Sequence, residues 1–285
     1  MDEIKRVLIH IRWPLQSFTL LGFLFGTAVS RANFSVDLVL GFISWFFLCA
    51  GIAVFNSYYD KDVCPVAGLE HPPATTFSML VGAWFLKLFG LIIALFLNKI
   101  FLLTYIMGVI LSVLYSHEKF RFKSNGYVAV LLNFIVGAMT FIVASSFSSV
   151  NATILFLGSI TAGIFLAAIY LMMQVHQKEE DKTRQDISIM VLYGRKITLT
   201  SAICLMTIAA VLSTITFVLS GLHWFYILIL VIYFGIILFV SYLWLNRQEE
   251  PISDFKIMNK LTMWLSYIAN LILAVIYIFE IVVKN

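Results

Sequence analysis

The sequence predicts an all-α integral membrane protein, and two observations support this prediction. Of its 285 residues, 61% are hydrophobic and only 12% are charged, whereas a soluble globular domain carries about 25% charged residues. The apolar residues also stand in long unbroken runs instead of alternating with polar ones, which favours helices over the strands of a membrane barrel. We therefore expect a chain embedded in a lipid bilayer.

The same composition excludes several other classes of protein. Long apolar runs are untypical of disordered chains and of secreted disulfide scaffolds. Cys49, Cys64 and Cys204 show no C-x-x-C spacing, so neither a zinc site nor a disulfide framework is indicated. The net charge of +4 does not indicate a nucleic-acid partner, because the basic residues lie in short loops between the apolar runs.

Nine runs are long enough to cross a membrane, since a spanning helix needs about 20 mostly apolar residues for a hydrocarbon core of roughly 30 Å. We expect residues 1–285 to form a single transmembrane domain. The predicted spans are Pro14–Ser30, Val36–Asn56, Phe77–Leu97, Ile100–Tyr115, Tyr127–Phe147, Ala152–Met173, Ile197–Leu219, Trp224–Leu245 and Leu261–Val283.

Two of these spans need a separate argument. The first is similar in length to a signal peptide, but no soluble region follows it, so we expect it to remain as a helix. The third and fourth spans are separated only by Asn98 and Lys99, which predicts a tight hairpin.

The distribution of lysine and arginine predicts the orientation. Most of the 19 basic residues fall on the side that carries the N-terminus, and only Arg31, Lys99 and Lys284 fall on the other. We therefore expect a cytoplasmic N-terminus. Abundant Phe, Ile and Lys together with short loops suggest a prokaryotic plasma (inner) membrane. Because most carboxylates also lie in the inner loops, we expect the active site on the cytoplasmic side.

A first polar cluster continues the second span at its inner end. If the helix extends beyond the membrane, Asn56, Asp60 and Cys64 lie four residues apart on one stripe, with Asp62 nearby. Amide and carboxylate oxygens suit a hard cation such as Mg²⁺, completed by phosphate oxygens and water. The alternative is that these residues only cap or solubilise a helix end.

A second cluster closes the sixth span in a similar way. Gln174, Gln177, Asp181 and Arg184 fall on one face of a continuing helix. Two such stripes on the same side of the membrane can face each other across a cavity, each presenting a metal-binding wall. Helix capping alone would account for one such cluster, but it accounts less well for two matching clusters on the same side of the membrane.

Basic residues follow the fourth span. Tyr115 and Lys119 are one helical turn apart, and Arg121 and Lys123 come next. Cations beside bound Mg²⁺ are what a diphosphate needs, because several donors must match its negative charge. Cytoplasmic loops of membrane proteins in general carry an excess of Lys and Arg, and this rule explains each of these residues equally well.

One basic residue falls inside a span. Lys87 lies ten residues into the third span, where a charge that faces lipid is costly. We expect it to face a cavity, although a long lysine stem can also carry its charge to the interface.

With these clusters in place, the chain resembles the UbiA superfamily of intramembrane prenyltransferases over nearly its whole length. The first family motif is Asn-Asp-x-x-Asp-x-x-x-Asp. Here Asn56 and Asp60 match it, while Ser57 and Cys64 replace two of its aspartates. Cys64 would be a soft ligand that Mg²⁺ does not favour, so Asp62 is the residue expected to compensate.

The other family elements are also present in altered form. In the second motif, Asp-x-x-x-Asp, Gln177 replaces the first aspartate and Asp181 matches the last. Gln185 then stands where a glycine is common. Tyr115 and Lys119 match a Tyr-x-x-x-Lys element.

The resemblance implies nine helices around a lipid-accessible cavity that holds a polyprenyl diphosphate donor. The expected catalytic residues are Asp60, Asp181, Lys119 and Tyr115. The expected Mg²⁺ ligands are Asn56, Asp60, Asp62, Gln177 and Asp181. The expected diphosphate-binding residues are Asn56, Lys119, Arg121, Lys123, Lys182 and Arg184. Loss of the diphosphate would leave an allylic cation for an unidentified aromatic or isoprenoid acceptor to capture, as in isoprenoid biosynthesis.

Two other functions stay open at this stage. A terpene cyclase of the same architecture would let the cation attack its own chain, without an acceptor. A non-enzymatic membrane protein, such as a transporter or an inactive relative, is the second alternative. Surviving acids in both motifs speak against an inactive relative. The spans also lack the paired Pro or Gly breaks of many transporters.

Overall fold

A computed structural model describes residues 2–66, 68–248 and 250–282. The helices in this part are α1 (Glu3–His10), α2 (Trp13–Ser30), α3 (Val36–Asp60), α4 (Phe77–Ala94), α5 (Lys99–Ser116), α6 (Gly126–Ser145), α7 (Ala152–Gln174), α8 (Lys178–Thr183), α9 (Ile189–Leu219), α10 (Trp224–Leu245) and α11 (Pro251–Val282). A 3₁₀ turn, Phe122–Ser124, precedes α6.

The predicted all-α membrane fold is confirmed. Among the described residues, eight helices are each long and apolar enough to cross a membrane. Helices α1 and α2 qualify together as a ninth span, with a bend of 46° between them. The segment before the first predicted span is thus the helix α1, whose Ile4 and Leu8 are exposed.

Polar side chains fix where several helices begin, because they accept hydrogen bonds from backbone N–H groups that have no partner inside the helix. In the predicted hairpin, the side chain of Asn98 accepts from the N–H of Phe101 and starts α5. Asn125 caps α6 and Ser188 caps α9 in the same manner.

Some helix boundaries differ from the predicted ones. α3 runs on to Asp60, and α9 begins at Ile189, well before the predicted Ile197. A kink at Gly194, whose φ is 76°, lets α9 start outside the apolar run. α11 likewise begins at Pro251 in a polar stretch. The predicted end of the ninth span at Val283, and Lys284, lie outside the described residues.

The early start of α11 has a clear physical cause. Asp254, in its first turn, pairs with Arg195 of α9 (Nε to Oδ2, 3.0 Å) and accepts from the indole of Trp244 in α10 (2.7 Å). Arg195 also donates to the carbonyl of Trp244 (2.7 Å). These three helices are therefore held together at one end by a buried ion pair with satisfied hydrogen bonds.

The helices pack against one another as a bundle. α2 packs against α6 and α11, α3 against α4 and α5, and α7 against α6 and α9. The backbones of α6 and α7 approach closely because Gly137 leaves no side chain between itself and the carbonyl of Ala162. The segments 61–66, 68–76, 117–125 and 175–188 lie on one face of the bundle, which we call the motif face.

Candidate active site

Helices α2, α3, α5, α6 and α7 enclose a cavity of about 1610 Å³, including the part that opens to the surroundings. The charged residues that line it all lie at the motif face. They are Arg12, Asp60, Asp62, Lys123, Asp181, Arg184 and Asp186. Neutral polar side chains line it one to two helical turns deeper, and these include Gln16, Thr19, Ser112, Asn133 and Tyr170.

The deep end of the cavity is apolar and leads on into a second space. This space has a volume of about 790 Å³ and is lined mainly by Phe, Leu, Ile and Ala side chains. Phe18, Thr140 and Leu166 line both cavities. The site therefore changes from charged to neutral to apolar along one path.

The first motif lies where the sequence predicts it. Because α3 continues to Asp60, its last turns project Asn56 and Asp60 into the cavity. The Asn56 Oδ1 atom accepts from Ser116 Oγ (2.9 Å) and from Lys123 Nζ (3.1 Å). Lys123 also forms an ion pair with the Asp60 carboxylate. A lysine from the loop after α5 is thus bound to the motif on α3.

Asp62 lies in a clamp that the sequence does not predict. Its side chain is 2% exposed and accepts from Arg12 Nη2 (2.9 Å) and Arg184 Nη1 (2.7 Å). Arg12 also donates to Ser57 Oγ (2.9 Å), so the serine that replaces a motif aspartate has its own partner. Both Asp62 oxygens are engaged by guanidinium groups, and the predicted role of Asp62 as a metal ligand stays a prediction.

The second motif does not lie on one continuous helix. α7 ends at Gln174, and Gln177 precedes the short helix α8 that carries Asp181. Gln174, Gln177, Asp181 and Arg184 nevertheless all line the cavity. The predicted stripe is therefore assembled from two helices. The break between them turns the chain back over the charged end of the cavity at the motif face, which we call the cavity mouth.

Arg184 connects the two motifs. Its Nη1 atom is 3.3 Å from the backbone carbonyl oxygen of Asp60, and its Nη2 atom is 3.5 Å from the Asp181 carboxylate. The inner ends of α3 and α7–α8 are therefore close neighbours across the cavity mouth, as the facing stripes require.

Burial shifts two charged groups toward their neutral forms. Burial raises the pKa of Asp181 to about 6, although Ser188 and Arg184 oppose this shift. Burial also lowers the pKa of Lys123 to about 7, and the nearby Arg184 adds to that effect. A cation beside Asp181 and an anion beside Lys123 would both restore the charged forms.

Several predicted residues lie elsewhere. α5 ends at Ser116, so Lys119 is not on the helix that carries Tyr115; it is exposed and does not line the cavity. Lys182 is exposed and pairs with Glu179 (3.0 Å). Neither lysine lines the cavity, whereas Tyr115 does, and a role of the two lysines in diphosphate binding stays a prediction.

Arg121 also lies outside the cavity lining. Its Nε and Nη2 atoms donate to the two oxygens of Asp186 (3.0 and 2.9 Å), which hold it in a bidentate pair. Because Asp186 itself lines the cavity, Arg121 contacts the site only through this carboxylate. Cys64 is exposed and lines no part of the cavity.

Arg12 is a residue of the site that the sequence did not single out, because it precedes the first span and reads as one of many inner basic residues. Gln174, by contrast, belongs to the predicted stripe of the second cluster. The Oε1 atom of Gln174 is buried without a hydrogen-bond partner among the described residues, and the residue is 3% exposed. A buried polar atom of this kind normally has a partner, so Gln174 is a candidate ligand group.

The donor set fits a Mg²⁺ ion whose coordination is completed by substrate and water. The described residues contain no cluster of three His, Cys, Asp or Glu side chains that would hold a metal by itself. Mg²⁺ is more often held by one or two carboxylates and completed by substrate phosphates and water. Asp181, Gln177 and the unpartnered Gln174 oxygen on one wall, with Asp60 on the other, meet that requirement.

Comparison with known proteins gives a consistent result. The sequence model described as the UbiA prenyltransferase family matches residues 17–268. A solved structure of a UbiA homologue from Archaeoglobus fulgidus bound to GPP and Mg²⁺ is 21% identical, with a TM-score of 0.68 over 93% of this chain and 99% of that one.

Two further solved structures have the same fold. An apo UbiA homologue from Aeropyrum pernix K1 is 17% identical, with a TM-score of 0.68 over 93% of this chain and 98% of that one. A structure described for digeranylgeranylglyceryl phosphate synthase is 21% identical, with a TM-score of 0.64 over 99% of both chains. The comparison with curated proteins gave no match.

Proposed function

Since the chain belongs to the UbiA prenyltransferase family, we propose that it is a Mg²⁺-dependent membrane prenyltransferase that ionises a prenyl diphosphate and transfers the prenyl group to a hydrophobic acceptor. The observation that carries this proposal is the contact of Arg184 with both motifs at the mouth of a cavity that becomes apolar with depth. A prenyl diphosphate likewise has a charged end and an apolar tail.

The cations at the mouth would bind the diphosphate. Lys123 and Arg184 line the cavity and already contact motif carboxylates. Arg12 lines it as well, and its Nε atom is buried without a partner in the described part of the chain. We assign Asp62 to holding Arg12 and Arg184 in place, because a guanidinium that is fixed beforehand loses less freedom when it binds phosphate.

The metal would be held by Asp60 and Asp181, with Gln174 and Gln177 as neutral oxygen donors. When bound, Mg²⁺ supplies Lewis-acid stabilisation of the departing diphosphate. The protein's own residues then fix the position of the diphosphate and keep water from the reacting carbon. The apolar walls below the mouth, such as Leu132, Val136 and Ile169, serve the second purpose.

The neutral polar layer supports transfer to an acceptor over cyclisation. Tyr115, Tyr170 and Asn133 line the cavity just below the charged mouth. Hydroxyl and amide groups at this depth can bind and orient a polar nucleophile, for which an internal cyclisation has no use. The tyrosine rings can also stabilise an allylic cation, by roughly 0.5–2 kcal/mol for a well-placed ring.

We propose that the motif face is cytoplasmic. The loops on that face contain seven of the 19 basic residues, whereas among the described residues only Arg31 and Lys99 flank the spans at their opposite ends. This is the distribution that the positive-inside rule requires of cytoplasmic loops. A prokaryotic plasma membrane remains our proposal for the location. Soluble prenyl diphosphates would then reach the site from the cytoplasm.

Diphosphate release by the purified protein tests the proposal. The protein in nanodiscs would be incubated with Mg²⁺ and dimethylallyl, geranyl, farnesyl and geranylgeranyl diphosphates, with and without phenolic, quinol-type and isoprenoid-alcohol acceptors. We expect release that depends on Mg²⁺ and on an acceptor, together with a covalent prenyl–acceptor product. Release of a cyclic hydrocarbon or alcohol without acceptor would indicate a cyclase, and no release under any condition would contradict an enzymatic function.

A further inference from the structure

Two of the described lysines are buried, and only one of them reaches the site. Lys87, inside α4, donates to Ser112 Oγ (2.8 Å) and lines neither of the two cavities, contrary to the expectation that it faces one. Lys123 lies in the 3₁₀ turn before α6 and lines the charged end of the cavity. Its amine is bound to Asn56 and Asp60, two residues that the resemblance assigns to Mg²⁺.

Lys123 contacts these two motif residues through a single atom. Its Nζ forms an ion pair with Asp60 Oδ1 and donates to Asn56 Oδ1 (3.1 Å). The side chains of Lys123 and Asp60 are only 8% and 9% exposed, so the buried ammonium group has its counter-charge in direct contact. A cation at the position of Nζ thus has an amide oxygen and a carboxylate oxygen as neighbours. This is a donor pair that Mg²⁺ also accepts.

The backbone that carries Lys123 is fixed to the opposite side of the cavity mouth. The N–H of Ile187, which follows the second motif, donates to the carbonyl oxygen of Ser124 (2.8 Å). Arg121 adds its bidentate pair with Asp186. Lys123 therefore reaches from the second motif across the mouth to the first. Because its stem is long and flexible, the ammonium group can change its partner while the backbone stays in place.

The two carboxylates assigned to the metal differ in their present partners. Asp181 is 3.5 Å from Arg184 Nη2, whereas Asp60 is in direct contact with the Lys123 amine. Two cations at neighbouring positions repel each other strongly where water is largely excluded, so they cannot share the Asp60 oxygen. A metal can therefore bind between Asn56 and Asp60 only when the ammonium group leaves.

We propose that Lys123 occupies the metal position at the first motif until a diphosphate binds, and that it then moves to the diphosphate; this inference rests on the proposed function. Phosphate oxygens are stronger acceptors for an ammonium group than the neutral amide of Asn56 is. Once Lys123 has turned to them, Asn56 and Asp60 can bind Mg²⁺. The metal and the diphosphate therefore enter the mouth together, and the metal alone binds weakly.

Binding of Mn²⁺ alone to the full chain in detergent tests this role, because it requires neither a diphosphate nor turnover. Free Mn²⁺ would be quantified by its electron paramagnetic resonance signal, which broadens when the ion binds to protein. We expect Lys123→Met to bind Mn²⁺ about tenfold or more tightly than the wild type, the factor that corresponds to the loss of a competing hydrogen bond to a charged group. The double variant Lys123→Met/Asp60→Asn should lose this gain.

Lys61→Met is the matched control. Lys61 directly follows Asp60, is exposed and does not line the cavity. Its replacement removes one positive charge from the same end of α3 without freeing a motif oxygen. Because water and salt screen exposed charges, Mn²⁺ affinity should change by no more than about twofold.

The coupling between metal and pyrophosphate tests the movement of Lys123 to the diphosphate. Equilibrium dialysis with labelled pyrophosphate, at low and at saturating Mn²⁺, measures how far the metal strengthens pyrophosphate binding. By linkage, pyrophosphate strengthens metal binding by the same factor. We expect this factor to be about tenfold or more larger in the wild type than in Lys123→Met, because only the wild type must move a cation before the metal binds.

The proposal is overturned if Lys123→Met binds Mn²⁺ no more tightly than the wild type, if Lys61→Met gains as much, if the double variant keeps the gain, or if the coupling factor is equal in both chains. Should Lys123→Met fail to fold, Lys123→Gln, which keeps a donor but no charge, decides by the same comparisons. Failure of the wild type to bind pyrophosphate would contradict the proposed function, whereas an unchanged Mn²⁺ affinity of Lys123→Met contradicts only the role of Lys123.

Discussion

Asp62→Asn is the substitution whose effect can be worked out most fully from the structure. The Asp62 carboxylate is shared between Arg12 (2.9 Å) and Arg184 (2.7 Å), and its side chain is 2% exposed. The amide is nearly the same size, keeps one oxygen acceptor and removes the negative charge. Two guanidinium groups would then face each other across the cavity mouth without a carboxylate between them.

The magnitude follows from the burial of the two arginines. Removing one partner of a buried ion pair typically costs about 3–5 kcal/mol, because the other charge remains buried without compensation. The Arg12 side chain is 5% exposed and has no other carboxylate of the described residues within 4.0 Å, whereas Arg184 is 17% exposed and keeps Asp181 and Glu180 nearby. We therefore expect Asp62→Asn to lower the free energy of unfolding by about 3–5 kcal/mol, mainly because Arg12 loses its partner.

The matched control is Glu179→Gln at the surface pair with Lys182. Those side chains are 75% and 49% exposed, and exposed pairs contribute at most about 1 kcal/mol. The free energy of unfolding would be measured for both variants by equilibrium denaturation in mixed micelles. If Asp62→Asn loses no more stability than Glu179→Gln, Asp62 does not hold the two arginines in place.

Three further predictions concern the site. Asp60→Ala and Asp181→Ala should each abolish Mg²⁺-dependent turnover, and unchanged turnover in both would reject them as metal ligands. Lys123→Met should lower kcat/KM for the prenyl diphosphate by about a hundredfold or more, as the loss of a preorganised hydrogen-bond donor to a developing charge does. The exposed Lys119→Met should change kcat/KM by no more than about twofold. Equal effects of the two substitutions would contradict the placement of these lysines. Gln185→Gly should raise the free energy of unfolding by up to about 1–2 kcal/mol, because φ of Gln185 is 60° and side chains disfavour that region; a loss of stability in thermal unfolding would contradict this.

The number and order of the spans are predictable from the sequence because the requirement for about 20 apolar residues is strict. Trp224–Leu245 is predicted to the residue, and most other ends fall within a few residues. The larger errors, at the starts of α9 and α11, occur in polar stretches. There the pairing of Arg195 with Asp254 extends a helix that hydropathy does not indicate.

The site is predictable where it depends on helical spacing within a helix that continues. Asn56 and Asp60 lie on α3 as expected because that helix continues beyond the predicted end of the apolar run at Asn56. The Tyr115–Lys119 spacing is misleading because α5 ends at Ser116, where His117 takes an extended backbone conformation without a proline or glycine to announce it.

Long-range pairings account for the residues that sequence reasoning missed. Arg12 and Asp62 are 50 positions apart, and nothing in their local sequence indicates that they pair. At Gln185 the local backbone does agree with the expected motif. Its φ of 60° is a conformation that favours glycine, the residue that the resemblance predicts at this position, although a glutamine stands there.

The claim that matters most is that the two motifs hold one diphosphate together. Anomalous scattering from Mn²⁺, in crystals of the protein with an unreactive thiolo analogue of geranyl diphosphate, tests it directly. We expect a metal peak that contacts the analogue's phosphate oxygens and lies within direct coordination distance, about 2.0–2.2 Å, of an oxygen of Asp60 or Asp181, with the other motif bound to the same diphosphate. A metal and a diphosphate bound away from the cavity mouth, or bound by one motif alone, would contradict the account.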